Sequence, residues 1–490
     1  MTDRRPPWRS PRARLGGPPD RVDADVAVVG GGITGLTLAL LLAEAGVDVA
    51  LFERDRLGAG VTGKSTGHLT TLPDLGLARA IDAHGEERAA SVVDVMARTV
   101  DALERRAAAL APQAFERVDG YLFAEPEGDV EALRGELAAA RRLGLPVTED
   151  APPGLPFEVE AAMRLPGQAK LSPGVWLEAL AAAAREAGAR LYDHAAVTRV
   201  RGKEHVELAS GAEVRADRVV LATHTPVGVD PLQTEVAPHR SYVLAFRVAS
   251  GAPPAALYWD TEEPYHYIRS HDGLVIAGGA DHKTGHVDPA EAEARLERWV
   301  RARFDVGEIV HRWSSQVYEP IDGLPFIGES LLGRDVWVAT GFSGDGLVWG
   351  TFAAQVLADR LTGQEHPYAR LLDARRVDVK AGTKDFLKEN ADVAKRFVAD
   401  RLGALRQGDP DSVGPGEGAV LRLGRKLVAV HRDASGALHQ REAVCPHLGC
   451  VVSWNGVEGS WDCPCHGARY DAQGEVLEGP STRGLKPREH

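Results

Sequence analysis

Val26-Ala-Val-Val-Gly30-Gly31-Gly32-Ile-Thr-Gly35, continued by Val49-Ala-Leu-Phe-Glu53, decides the fold of this chain. The opening run of small and β-branched apolar residues reads as a buried parallel strand. It breaks at Gly30-x-Gly32-x-x-Gly35, continues as an apolar helix over residues 36–45, and stops at Gly46. A second apolar strand then ends on Glu53. Gly30 allows the tight turn, Gly32 lets the backbone approach a pyrophosphate, and Gly35 lets the helix pack close to the strand. The helix N-terminus offers unpaired N–H groups to phosphate, and Glu53 stands where a carboxylate accepts from ribose hydroxyls. A lone glycine triplet carries little weight. Strand, helix, second strand and terminal acid in register make a dinucleotide site.

The 490 residues leave room for about three domains at roughly 150 residues each. With 44% apolar and 26% charged residues, the composition is that of an ordinary globular protein. A formal charge of −13 argues against nucleic acid or an anionic membrane surface as a main partner. No apolar run reaches the length needed to span a bilayer. Residues 1–22 are rich in Pro and Arg with no apolar stretch behind them, which reads as a disordered tail rather than a secretory signal. The expected location is cytoplasmic.

Further along, Gly58-Ala-Gly-Val-Thr-Gly63-Lys64-Ser65-Thr66-Gly67-His68 is small, polar and glycine-rich. Residues 89–110, 130–143 and 173–187 have helical periodicity, and Val118-Asp-Gly-Tyr-Leu-Phe reads as a strand. Asp217-Arg-Val-Val-Leu-Ala222-Thr223 is an apolar strand ending in small residues. From 234 to 320 the pattern changes to alternating strands. A strand at Val336-Trp-Val-Ala-Thr then meets Gly341-Phe-Ser-Gly344-Asp345-Gly346 and a helix over residues 351–361. On these motifs, residues 25–363 resemble the FAD-dependent D-amino-acid oxidase and glycine/sarcosine oxidase superfamily.

That resemblance implies FAD as the dinucleotide, in a Rossmann-like α/β domain over 23–373 with an inserted antiparallel sheet, mainly 234–320, roofing the flavin. Lys64, Thr66, Gly67 and His68 would lie near the isoalloxazine. The backbone at Val197 would meet the adenine, and Ala222 and Thr223 would close over the dinucleotide. The helix start at Gly344, Asp345 and Gly346 would face the pyrimidine edge, where its dipole stabilises negative charge on the reduced ring. Tyr265, His266, Tyr267 and Arg269 alternate on a strand, one face of which could line a substrate pocket. Arg269 could hold a carboxylate there by a bidentate contact, or sit as an outer-face Arg beside packed tyrosines. The general base stays open among His68, His239, His266 and Lys64.

The four cysteines crowd near the C-terminus in Cys445-Pro-His447-Leu-Gly-Cys450 and Cys463-Pro-Cys465-His466-Gly467. None is left for a cysteinyl flavin link. Two thiolates, Cys445 and Cys463, and two imidazoles, His447 and His466, suit a mixed-ligand [2Fe–2S] centre, and the same four suit zinc. The extra pair Cys450 and Cys465, the Leu-Gly between His447 and Cys450 and the trailing Gly-x-x-Tyr-Asp resemble the Rieske family and favour the cluster. The resemblance implies a small all-β domain over 418–490, reached through a helical connector and hinge at 374–417. It also implies a Cys450–Cys465 disulfide, unusual in a reducing cytosol, and a Tyr470 hydroxyl bonded to a cluster cysteine sulfur. Ala468 departs from the family pattern, in which a serine donates to a bridging sulfide, so a lower reduction potential is expected.

Together these readings imply oxidation of a small amine or amino acid C–N bond, with electrons passing from FAD to the cluster and on to an unknown acceptor. No second Gly-x-Gly-x-x-Gly follows a strand, which counts against an NAD(P)H-driven reductase feeding a partner enzyme. A redox-sensing electron carrier is the remaining alternative, and a cavity closed off above the flavin would favour it.

Overall fold

The computed structural model describes residues 3–8, 15–200, 206–251, 253–331, 333, 335–376 and 408–488. The glycine-rich stretch folds as its pattern demands. Arg21–Val29 pairs in parallel with Val49–Phe52 on one side and Glu213–Leu221 on the other. Val336–Thr340 and Arg190–Tyr192 extend this sheet in parallel, and Phe326–Glu329 closes one edge antiparallel. The intervening helix Ile33–Glu44 is apolar on nearly every side, so it is sunk in the core rather than laid on a surface. Leu36, Leu38 and Leu42 are fully buried, each stabilising the fold by about 1.5–3 kcal/mol.

A second eight-stranded sheet forms the cap, in the order Val306–Pro320, Val236–Val248, Leu274–Lys283, Tyr267–His271, Leu257–Asp260, Phe115–Ala124, Ala161–Leu171 and His68–Leu69. It therefore draws strands from well before residue 234, beyond the expected insertion. It is also not wholly antiparallel: Leu257–Asp260 runs parallel to Phe115–Ala124.

The expected disorder of the N-terminal tail does not extend to residues 3–8. Trp8 is buried, packs edge-on to Trp313 at 5.8 Å, and donates from its indole to the Gly63 carbonyl at 2.6 Å. Asp3 exchanges backbone bonds with Val310 and Arg312, and Arg4 pairs with Glu293. An indole and a guanidinium with partners overcome the composition bias. Most of the expected helical connector, residues 377–407, lies outside the described residues.

The C-terminal part is all β. Gly418–Leu423, Lys426–Arg432 and Leu438–Glu442 make one antiparallel sheet; Ser453–Asn455, Ser460–Asp462, Arg469–Asp471 and Val476–Glu478 make another. Its core is small and includes all four cysteines with Trp461 and Tyr470. Among the described residues no helix is long and apolar enough to cross a membrane.

Candidate active site and metal centre

One cavity of about 1000 Å³ runs along the C-terminal end of the parallel sheet. Gly30, Gly32, Glu53, Lys64, Thr66, Val197, Ala222, Thr223, Gly344, Asp345 and Gly346 all line it. Gly67 sits behind this wall and holds its turn.

The glycines act through space as much as through conformation. A Cβ on Gly30, whose φ is +109°, would stand 2.4 Å from the Ala222 carbonyl oxygen; one on Gly35 would stand 1.9 Å from the Gly30 carbonyl oxygen. Gly32 has no side chain with which to cap the helix, and the Ile33 amide donates to the Thr62 hydroxyl at 3.2 Å, both at the cavity wall. Glu53 accepts from the Gly31 amide at 2.6 Å and the Asp55 amide at 3.0 Å. Burial pushes its carboxyl above the usual range, against the pull of those two amides. A helix start at a glycine N-cap, a backbone cradle that a Cβ would fill, and an acid at the second strand's end fit a bound dinucleotide.

The segment toward the cap is pinned from behind. Gly67 takes a φ of +78°, and the Arg269 guanidinium donates to the carbonyls of Thr66 at 2.8 Å, Gly67 at 2.8 Å and Leu171 at 3.0 Å. Arg269 is 3% exposed and is absent from the cavity wall. Neither expected position holds for it: it is not on an outer face, and its Nη1 and Nε donate to backbone carbonyls behind the cavity wall rather than toward a substrate carboxylate. His266 is likewise turned away, bonded to Asp260 at 2.8 Å and stacked on Trp299 at 4.2 Å. Tyr265 and Tyr267, one residue either side, do line the cavity.

The remaining base candidates divide. His68 lines the cavity, and burial followed by the Arg269 charge lowers its pKa to about 3, so it stays neutral. His239 lines it too, 3.3 Å from Glu319. Lys64 is held 3.2 Å from Glu478 of the C-terminal domain.

The sequence reading missed four groups. Asp281 lines the cavity with an Oδ1 that is buried and has no hydrogen-bond partner among the described residues. Asp74 accepts from the Tyr265 hydroxyl at 2.8 Å and the Gly344 amide at 2.9 Å. Gln233 and Tyr318 reach the other centre. Asp281 had a local signal: Gly278-Gly279 inside a strand marks a bulge, and bulges re-aim the side chains that follow.

At that second centre, Cys445 and Cys463 are free thiols in hydrogen-bond contact, and Cys450 and Cys465 form a disulfide. Cys450, Cys463 and Cys465 also lie close enough to suggest a metal trio, but two of those three sulfurs are spent on the disulfide. The bond from Cys463, then that from Tyr470, lowers the Cys445 thiol to about 7 against the opposing effect of burial. Burial drops both His447 and His466 to about 4, which keeps them neutral, the form that ligates metal. Their rings sit 5.0 Å apart, nearly perpendicular.

His466 Nδ1 is buried without a hydrogen-bond partner among the described residues. His447 offers the complement. The Gln233 amide nitrogen donates to the carbonyls of Pro226 at 2.8 Å and Gly228 at 2.7 Å, which fixes Oε1 toward His447 Nε2 at 2.9 Å. That Nε2 must therefore carry the proton, leaving Nδ1 with its lone pair. Two thiols, two such imidazole nitrogens and a disulfide brace fit a [2Fe–2S] cluster.

The two centres share a wall. Tyr318 lines the cavity, and its hydroxyl donates to the His466 carbonyl at 3.0 Å. Glu475, Val476, Glu478, Ser481 and Thr482 of the C-terminal domain line the same cavity.

Comparisons with known proteins agree with this geometry. The pattern described as FAD dependent oxidoreductase matches residues 25–360, and that described as Rieske [2Fe-2S] domain matches residues 405–488. A Bacillus subtilis (strain 168) protein, YhfW, which carries the name of a Rieske 2Fe-2S iron-sulfur protein, is 29% identical over 480 residues, 95% of this chain and 93% of its own. Glycine oxidase from Geobacillus kaustophilus superposes with a TM-score of 0.61 at 21% identity, over 73% of this chain and all of that one. L-Proline dehydrogenase from P. horikoshii gives a TM-score of 0.58 at 18% identity, over 72% and 97%. These two likenesses show the fold. The chain belongs to the FAD-dependent oxidoreductase family that includes D-amino-acid oxidase, and it carries a Rieske [2Fe–2S] domain at its C-terminal end.

Proposed function

We propose that the protein oxidises the C–N bond of a small amine or amino acid, and that the electrons pass through the Rieske centre to an external acceptor. The observation that carries this reading is Tyr318, a single side chain that lines the flavin cavity and bonds the backbone of a cluster ligand. Bound FAD supplies the two-electron oxidant, and the cluster a one-electron relay.

The chain's own residues bind and orient. The glycine cradle and Glu53 hold the dinucleotide. The Arg269-pinned turn at Gly67 fixes the wall beside which His68 and Thr66 stand. Tyr265, Tyr267 and Asp74 shape the cap side, where substrate would lie. His224, with φ +70°, sits edge-on to Tyr318 at 4.7 Å, and the Tyr318 hydroxyl donates to the His466 carbonyl, so one ring contact and one hydrogen bond lead from the cavity to the cluster loop. Tyr265, Tyr267 and Asp281 of the cap line the same cavity as the dinucleotide cradle, which supports turnover of a metabolite over a closed redox sensor. The spacing at Gly30 to Gly35 sits between a parallel strand and a twelve-residue helix, whereas its repeat at Gly58 to Gly63 opens only the four-residue helix Val61–Lys64, which supports an organic electron donor over a second nucleotide.

An anaerobic titration with amines, amino acids and NAD(P)H tests the reading, with flavin bleaching followed optically and the reduced cluster by EPR. Bleaching by an amine or amino acid, with the cluster signal following, is the expected result. Bleaching by NAD(P)H alone would assign a reductase instead, and bleaching by no amine or amino acid would remove the proposal.

A further inference from the structure

We infer that Asp281 holds the ammonium group of the substrate and takes its proton, so that the site selects cationic amines and makes no demand for a carboxylate. This inference rests on the proposed amine chemistry and narrows its substrate class.

The strand Leu274–Lys283 breaks register against its neighbour just before this residue. Gly279 opposes Tyr242 and His282 opposes Arg240, so Ala280 and Asp281 together face Ser241. Ala280 takes a φ of +58°, a conformation that costs a non-glycine residue about 1–3 kcal/mol. Such bulges turn a side chain out of the pleat. Here the turned side chain lines the cavity, and its Oδ1 is buried with no hydrogen-bond partner among the described residues. An acceptor kept in that state is costly unless a ligand completes it.

The surroundings carry the sign of the ligand. Tyr267 adjoins Asp281, Ser241 hydrogen-bonds its carboxyl, and Asp74 and Glu263 act on it from neighbouring loops; Arg295, on the helix Pro289–Arg303, is the cation that acts on it. Tyr267 is placed by a missing side chain, since a Cβ on Gly278 would fall 2.1 Å from its ring. Cations that could hold a substrate carboxylate are elsewhere engaged: Arg269 on three backbone carbonyls, Lys64 on Glu478. Arg79 lines the cavity from a solvent-exposed position.

Burial raises the Asp281 carboxyl to about 7, against a pull from Ser241, so it can hold a proton at neutral pH where His68 cannot. The step balances simply. The ammonium N–H bond breaks, the proton goes to the Asp281 carboxylate, and neutral amine and neutral acid remain. With FAD bound as the two-electron acceptor, the neutral amine would be the form whose α C–H bond gives up hydride, with its electron pair, as the nitrogen lone pair forms C=N. Water hydrolyses the iminium.

The test uses the holoprotein and two probes of one shape and opposite charge. tert-Butylammonium has no α-hydrogen and cannot be oxidised; pivalate replaces its ammonium by a carboxylate. Binding is read from perturbation of the flavin absorption band, with FAD content and the cluster spectrum reporting integrity. The wild type should bind tert-butylammonium in preference to pivalate, and Asp281→Asn should weaken that affinity roughly tenfold to a hundredfold. Pivalate bound as tightly as the ammonium, no binding of the ammonium, or an unchanged affinity in Asp281→Asn would overturn the inference. The wild-type comparison stands even if the variant does not fold. Bleaching by amino acids together with pivalate binding would sink this inference alone, whereas no bleaching by any amine or amino acid would sink the proposed function beneath it.

Discussion

The Tyr470 hydroxyl lies 3.0 Å from Cys445 Sγ in a core where burial and the neighbouring thiol push the phenol's pKa up, so the proton stays on oxygen and points at sulfur. A donor to sulfur favours the reduced cluster, which carries the greater negative charge. About 1 kcal/mol of such preference is roughly 40 mV for one electron. Tyr470→Phe should therefore lower the reduction potential by that order. Ala468→Ser should raise it, since Ala468 is fully buried where the family has a donor. Potentiometry monitored by EPR measures both, and a rise in Tyr470→Phe or no rise in Ala468→Ser would refute the argument. This pair was legible in the sequence because cluster loops fix residue and role at short spacing. Asp281 was not, since its meaning depends on a register break against a strand forty residues earlier. Arg269 was misread for the same reason: strand parity gives a face, and the partners that claim a long side chain are set by tertiary structure.

At the level of elements, the turn carrying Gly67 is held between two strands of the cap sheet by one guanidinium. Burial lowers Arg269 to about 10, so it remains charged at neutral pH and its bonds are charge-assisted. Arg269→Leu removes those bonds and leaves buried carbonyls unpaired, a loss of about 3 kcal/mol or more. Gly67→Ala strains the same turn from the other side, because the new Cβ would lie 2.1 Å from the Leu171 carbonyl oxygen. Both variants should unfold at lower urea concentration and release FAD more readily than the wild type. A wild-type midpoint with full FAD content would show that the turn does not depend on this pin. The sequence reading caught the segment's composition, and Lys64, Thr66 and His68 do line the cavity. It could not supply the pin, since Leu171 lies about a hundred residues from Arg269 and Thr66 about two hundred.

At the level of the whole molecule, the two modules are joined by a buried ionic lattice. Glu458 accepts from Arg469 at 2.6 Å within the Rieske domain, and across the boundary from Ser314 at 2.6 Å and from Arg240. Glu478 bridges Arg469 at 3.0 Å and Lys64 at 3.2 Å. The motifs announce both modules, but nothing local in either says that they meet over Tyr318 and Gln233. Buried ion pairs add little net stability, yet removing one partner strands the other and costs about 3–5 kcal/mol. Arg240→Met should therefore loosen the Rieske domain from the cap sheet while leaving the flavin cradle and the cluster ligands in place. The proposed electron path predicts the consequence: after anaerobic flavin reduction, the cluster's EPR signal should develop at least tenfold more slowly, with both potentials unchanged. The acid limit of docking has a definite sign. Burial alone would raise Glu458, but the Arg240 and Arg469 charges outweigh it and hold the carboxyl near 2, and Glu478 is also held low. A depressed acid contributes stability that is present above its unfolded value, near 4.5, and lost as pH falls through its folded value. Rapid internal electron transfer should then persist at pH 5 and above and fade below about 4.5, earlier in Arg240→Met, for which the restraint on Glu458 is weaker. An identical pH profile in the two proteins, or undiminished transfer in the variant, would show that this lattice does not set the docked geometry.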